Sequence, residues 1–178
     1  FQDLLEYENV DFQGFRGDIY VKEAVIPEGA SIIPKSQFFG CRSLEKVCLP
    51  ESVSVIEDYA FADCNVLKVW ESMEKLSLKS VGISAFENCY ALEFKSLPDS
   101  LTVIEGAAFA ECVSVNKLIF SDTSLLKKIC DHAFRGCRNL KEVYLPDSVE
   151  YVGISAFRDC VSLEQISVSE KIKNQPGI

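Results

Sequence analysis

"AFRGCRNLKEVYLPDSVEYVGISAF" (residues 133–157) opens and closes on Ala-Phe. Its first five letters, "AFRGC" (133–137), return as "AFRDC" at 156–160. A duplicated catalytic motif and a repeated packing unit would both look like this, and the number of copies decides between them. Phe-x-x-Cys occurs as Phe38/Cys41, Phe61/Cys64, Phe86/Cys89, Phe109/Cys112, Phe134/Cys137 and Phe157/Cys160. Successive cysteines are 23, 25, 23, 25 and 23 residues apart. Six copies in phase describe a repeat architecture, in which units too small to bury their own apolar face stack on one another.

Other positions keep the same register. An apolar residue stands three places after each cysteine: Leu44, Leu67, Leu92, Val115, Leu140, Leu163. Ile or Val stands five places before each phenylalanine: Ile33, Ile56, Val81, Ile104, Ile129, Val152. "FRGD" (15–18) aligns with "FFGC" (38–41), placing Asp18 in the cysteine slot. Residues 1–178 therefore read as a single domain of about seven units, without linker or second domain. The chain begins at Phe1 and its only methionine is Met73, so it is expected to be a segment of a longer protein.

Each unit is predicted to supply one short strand, as in "LKEVYLP" (140–146). Alternation turns Val143 and Leu145 inward and Tyr144 outward. Strands of successive units then lie parallel, about 4.8 Å apart. Pro50, Pro98 and Pro146 cannot donate to the ladder and suit the strand ends. Apolar residues of "SVEYV" (148–152) lead the chain along the opposite wall, and a tight turn or single helical turn presents "SAFRDC". The six phenylalanines are expected to stack as a spine, with the six cysteines beside them as small buried hydrophobes. The variable letters, Arg135-Gly136 against Arg158-Asp159, are expected to face water. The longer units from Cys64 and Cys112 lack the Leu-Pro pair, and Ser72 occupies a normally apolar slot.

The pattern in 133–157 resembles the BspA-like class of leucine-rich repeats, whose units read x-x-A-F-x-x-C-x-x-L-x-x-[VI]-x-[LI]-P-x-S-[VL]-x-x-[IV]. The resemblance covers roughly residues 15–170. It implies a right-handed α/β solenoid, with a parallel sheet on the concave side and short turns or helical turns opposite. It also implies a surface or secreted interaction module of the kind found in bacteria and some protists, some of them adhesins, with no shared catalytic residues.

Composition narrows the partners. Net charge is −9, which disfavours nucleic acid and anionic membrane. No apolar run approaches the ~20 residues of a membrane span. No pair of cysteines is spaced C-x-x-C, and no carboxylates or histidines converge with the ladder, so neither a metal nor a cofactor is expected. Cysteines of adjacent coils come close enough for disulfides, and the spacing leaves both buried thiols and bridges open. Cys48 and Cys130 lie off the ladder, with Cys48 facing the sheet surface. His132, the only histidine, occupies a slot that varies between copies (Tyr59, Ser84, Ala107, Ser155) and is expected to face solvent rather than serve catalysis. Glu105 and Glu111 fall at exposed slots of different units. Arg-Gly-Asp at 16–18 falls in a turn and is a motif too short to carry an integrin-type reading.

Function is then sought on the strand faces. Outward slots hold Val69, Phe94, Ile119 and Tyr144, unusually apolar for a solvated sheet, beside Glu71 and Glu142. These six form the candidate concave site for a protein or glycan. The alternative is a structural spacer within a longer array, and an enzyme is not expected.

Overall fold

The computed structural model describes residues 15–68, 75–94 and 96–178, and the backbone of 4–6. Among the described residues twelve short strands wind into a parallel solenoid of about six turns, with no α-helix. The first set comprises β1 (Leu4–Glu6), β2 (Glu23–Val25), β4 (Lys46–Cys48), β8 (Lys117–Ile119), β10 (Glu142–Tyr144) and β12 (Gln165–Ser167). These pair as two three-stranded sheets, β1-β2-β4 and β12-β10-β8. The second set comprises β3 (Ile32–Ile33), β5 (Val55–Ile56), β6 (Ser80–Val81), β7 (Val103–Ile104), β9 (Lys128–Ile129) and β11 (Tyr151–Val152). It forms one uninterrupted six-stranded sheet, ordered β11-β9-β7-β6-β5-β3. The opposite wall is thus itself a sheet, because each unit places an Ile or Val in register with that of the next coil (Ile56↔Val81, Val81↔Ile104).

The core is the predicted spine. Phe38, Phe61, Phe86, Phe109 and Phe134 have no exposed surface, and Phe157 is buried. Neighbouring rings stack with centroids 5.1–5.6 Å apart and planes within 10°, inside the usual range for offset aromatic pairs. Phe15 extends the stack at 5.8 Å.

The spine is carried by turns, not by helical turns. Each turn holds two residues in the left-handed region. The first lies two places before the phenylalanine (Ser36, Tyr59, Ser84, Ala107, His132, Ser155) and the second immediately before the cysteine (Gly40, Asp63, Asn88, Glu111, Gly136, Asp159). The non-glycine members have φ of 51–63°. Gly, Asn and Asp tolerate this region best, and they fill five of the six second slots. Turn N–H groups then reach the following coil: Tyr59 donates to Ile83, Phe61 to Ala85 and Asp63 to Glu87, at 2.8 Å each. The expectation that Arg135 and Gly136 face water is corrected in part. Gly136 is buried and Arg135 half-buried, whereas Arg158 and Asp159 are exposed. A Cβ on Gly136 would meet the Glu111 carboxylate at 2.4 Å, so this slot is governed by backbone conformation and close approach.

Candidate functional site

All eight cysteines are free, and the six of the ladder are buried. They do more than fill space. Each thiol donates to the carbonyl of the phenylalanine one coil earlier: Cys41 to Phe15, Cys64 to Phe38, Cys89 to Phe61, Cys112 to Phe86, Cys137 to Phe109 and Cys160 to Phe134, at 3.0–3.2 Å. The same carbonyl accepts the N–H three residues on, as Phe86 does from Cys89 at 3.1 Å. Phenylalanine carbonyls thereby use both lone pairs without water. Burial pushes Cys41 up to about 12 and raises Cys64, Cys89, Cys112 and Cys137 as well. A thiol held protonated is a poor nucleophile and a poor metal ligand. Among the described residues, no three His, Cys, Asp or Glu side chains gather as a metal site.

The off-ladder candidates are likewise engaged in structure. Burial, then Glu105, raises Cys130 to about 11, and its thiol lies 3.5 Å from Glu105 Oε2. Glu105 and Glu111 are half-buried, not fully exposed, and Glu111 lies 3.9 Å from both Arg135 and Arg138. His132 is half-buried at a left-handed position (φ 61°), so that slot varies because its backbone, more than its side chain, is used. In the Arg-Gly-Asp turn, Arg16 lies over the Phe39 ring at 5.0 Å. Asp18 accepts the N–H groups of Tyr20 and Val21. Asp18 is thus engaged within the turn, and Arg16 lies against the turn of the next coil.

Of the six residues proposed for the strand face, the structure brings three together. Ile119 and Tyr144 are register partners on β8 and β10, and Glu142 pairs with Lys117 in the same register. Lys117 Nζ and Glu142 Oε1 are 2.8 Å apart, and the contact raises Lys117 above its ordinary value. Ile119 is exposed and Tyr144 half-buried. Phe94 departs from the reading: its ring meets Phe109 edge-on at 5.4 Å and packs against the core. The next slot, which is apolar and inward in other units (Val47, Leu118, Val143), here holds Lys95, and Phe94 takes over the packing. Val69 and Glu71 lie outside the described residues.

Sequence reasoning missed a second recurring device. Asp58 Oδ1 accepts the N–H of Ile83, and Asp131 Oδ1 accepts that of Ile154, both at 2.9 Å. Each aspartate lies against the preceding glycine of the next coil: a Cβ on Gly82 or Gly153 would come within 2.8 Å or less of aspartate and backbone atoms. The signal was present in the paired "VGIS" at 81–84 and 152–155.

These features meet in a known architecture. The BspA-type leucine-rich repeat model matches residues 8–125 and 71–176, in six copies. The chain belongs to the BspA-type leucine-rich repeat family. A solved leucine-rich repeat protein from T. pallidum is 28% identical, with a TM-score of 0.74 over 84% of this chain and 68% of its own. One from Bacteroides ovatus is 28% identical, with a TM-score of 0.78 over 95% of this chain. The chain spans 42% of that protein's length. Among curated proteins none matches.

Proposed function

We propose that this repeat module is a non-enzymatic interaction domain, surface-located or secreted, that binds a protein or glycan through the outward face of β8, β10 and β12. The observation that carries the reading is the cluster of Ile119 and Tyr144 beside the Lys117–Glu142 ion pair, an apolar patch with a polar rim. Aromatic anchors flanked by charge are the usual make-up of binding hot spots. Family membership supports the interaction role and the location. The test is binding of the whole chain to arrays of extracellular-matrix proteins and glycans, with an Ile119→Ala/Tyr144→Ala variant alongside. Saturable binding that falls at least about tenfold in the variant supports the reading. Absence of any bound component, or equal binding by the variant, overturns it. The spacer reading is favoured by the unbroken ring stack from Phe15 to Phe157, which suits a rigid element that holds other parts apart.

A further inference from the structure

The six-stranded sheet has an outer face that neither the core nor the proposed site uses. Ser80, Val103, Lys128 and Tyr151 are register partners along it. Three residues further along each coil, Ile83, Gly106, Asp131 and Ile154 form a second row. That row is tied by the bonds Ser84 N–H to Gly106 O, Ala107 N–H to Asp131 O and His132 N–H to Ile154 O. Ile83, Tyr151 and Ile154 are 44%, 42% and 56% exposed, high values for large apolar side chains.

Gly106 has no side chain, so the row dips between its two isoleucines. A depression of about 270 Å³ opens there, lined by Ile83, Glu105, Gly106, Cys130, Asp131 and Tyr151. On the other side a second depression of about 330 Å³ is lined in part by Lys35, Glu57, Asp58, Gly82 and Glu105.

The charge of this groove is one-sided. Its walls hold four carboxylates (Glu57, Asp58, Glu105, Asp131) and one lysine, Lys35, which sits 3.7 Å from Asp58. Asp58 and Asp131 accept backbone N–H groups of the next coil, and Glu57 accepts that of Lys35. Glu105 lines both depressions, and its partner is the weakly donating thiol of Cys130. Of the neighbouring lysines, Lys127 is paired with Glu150, while Lys128 stands on β9 beside Tyr151.

We infer that this face docks an extended segment of a protein partner whose groove-facing residues, every second one along the chain, are by turns aliphatic and basic (aliphatic-x-basic-x-aliphatic). Charge complementarity selects the basic residues and the exposed isoleucines select the aliphatic ones. The spacing also fits. Ile83 and Ile154 are three coil steps apart, about 14 Å at 4.8 Å per step. In an extended chain residues i and i+4 are about 13 Å apart. Aliphatic side chains at i and i+4 reach the two isoleucines, and a basic residue at i+2 lies over Gly106, within reach of Glu105 and Asp131.

The test uses the whole chain and three fluorescein-labelled nonapeptides, Ile-Ser-Lys-Ser-Ile-Ser-Lys-Ser-Ile, the same peptide with Glu for Lys, and the same peptide with Ser for Ile, followed by anisotropy. The peptide that carries both Ile and Lys is expected to bind saturably, at least about tenfold tighter than the other two, and to weaken with added salt. Glu105→Gln combined with Ile154→Ser, both at exposed or half-exposed positions, is expected to weaken it at least about tenfold, with an unchanged melting curve. Ile119→Ala/Tyr144→Ala is expected to leave it unchanged, which separates this face from the strand face proposed above. No saturable binding, equal binding of the peptide without Ile or of the peptide with Glu for Lys, or loss through the 119/144 variant but not the 105/154 variant overturns the inference.

Discussion

Raising the pH should unfold this protein through its thiols. Cys64, Cys89, Cys112 and Cys137 have no exposed surface, and burial lifts each well above the ordinary value of 9.0. The folded chain therefore keeps these four protons while the unfolded chain releases them. Stability is complete below pH 9 and falls as the unfolded thiols ionise. At pH 10, one unit higher, each thiol contributes a loss of about 1.4 kcal/mol, and the four together about 6 kcal/mol. Domains of this size are typically stable by about 5–15 kcal/mol, so the loss is decisive. The assay is urea denaturation at pH 7.5, 9 and 10 in the presence of a phosphine reductant, followed by circular dichroism. Tyrosines and lysines also titrate near pH 10, so Cys112→Ala is the control. It lacks one of the four protons, and its loss between pH 9 and 10 should be smaller by about 1 kcal/mol. Stability unchanged between pH 7.5 and 10, or an identical slope in Cys112→Ala, would refute the reasoning.

Phe109→Ala removes a ring buried between two stacked neighbours and should cost about 3–5 kcal/mol in a urea melt; a loss below about 1 kcal/mol would show that the stack is not core. Gly153→Ala drives a Cβ to 2.3–2.6 Å from Asp131 and the Cys130 carbonyl carbon, so it should cost at least about 1–3 kcal/mol. Gly106→Ala, whose nearest atom is 3.4 Å away, should be tolerated to within about 1 kcal/mol, and equal thermal shifts in the two variants would contradict the close-approach argument. Gln175 receives the Val152 N–H on Oε1 and donates Nε2–H to the Glu150 carbonyl, as a peptide group of one more strand would. Gln175→Ala should cost about 1–2 kcal/mol and speed amide exchange at Val152, while unchanged protection there would show that the amide is not the partner.

Much of this fold was legible because its repeat is nearly uniform. Regular Phe-x-x-Cys spacing identifies stacked coils, and the spine follows from placing Phe61 over Phe38 and under Phe86. The same spacing could not distinguish cysteine as filler from cysteine as donor. That distinction depends on where the Phe86 carbonyl lies relative to the Cys112 sulfur, and carbonyl directions are not written in side-chain patterns. The close approach at Gly153 is hidden in the same way, because it depends on where Asp131 of the preceding coil lies. The site was less legible for a related reason. Counting places Phe94 on the outer face, but counting assumes that every unit keeps one register, and Phe94 packs on the core against Phe109 instead. Ile119 and Tyr144 kept their places because Leu118 and Val143 hold the inward slots beside them.

The turn ladder has a consequence for assembly. From Gly17, which donates to Phe39, through Gly136, which donates to Arg158, alternate turn N–H groups point toward the C-terminal neighbour, and the cysteine thiols point back. The column therefore has a direction, like a filament with unlike ends. Along the turn wall, one end of any stretch offers amide donors and the other carbonyl acceptors. Two copies that met through these edges could continue the pattern only head to tail. Meeting head to head would set donor against donor, and the fold thus contains a rule of polarity for whatever is stacked upon it.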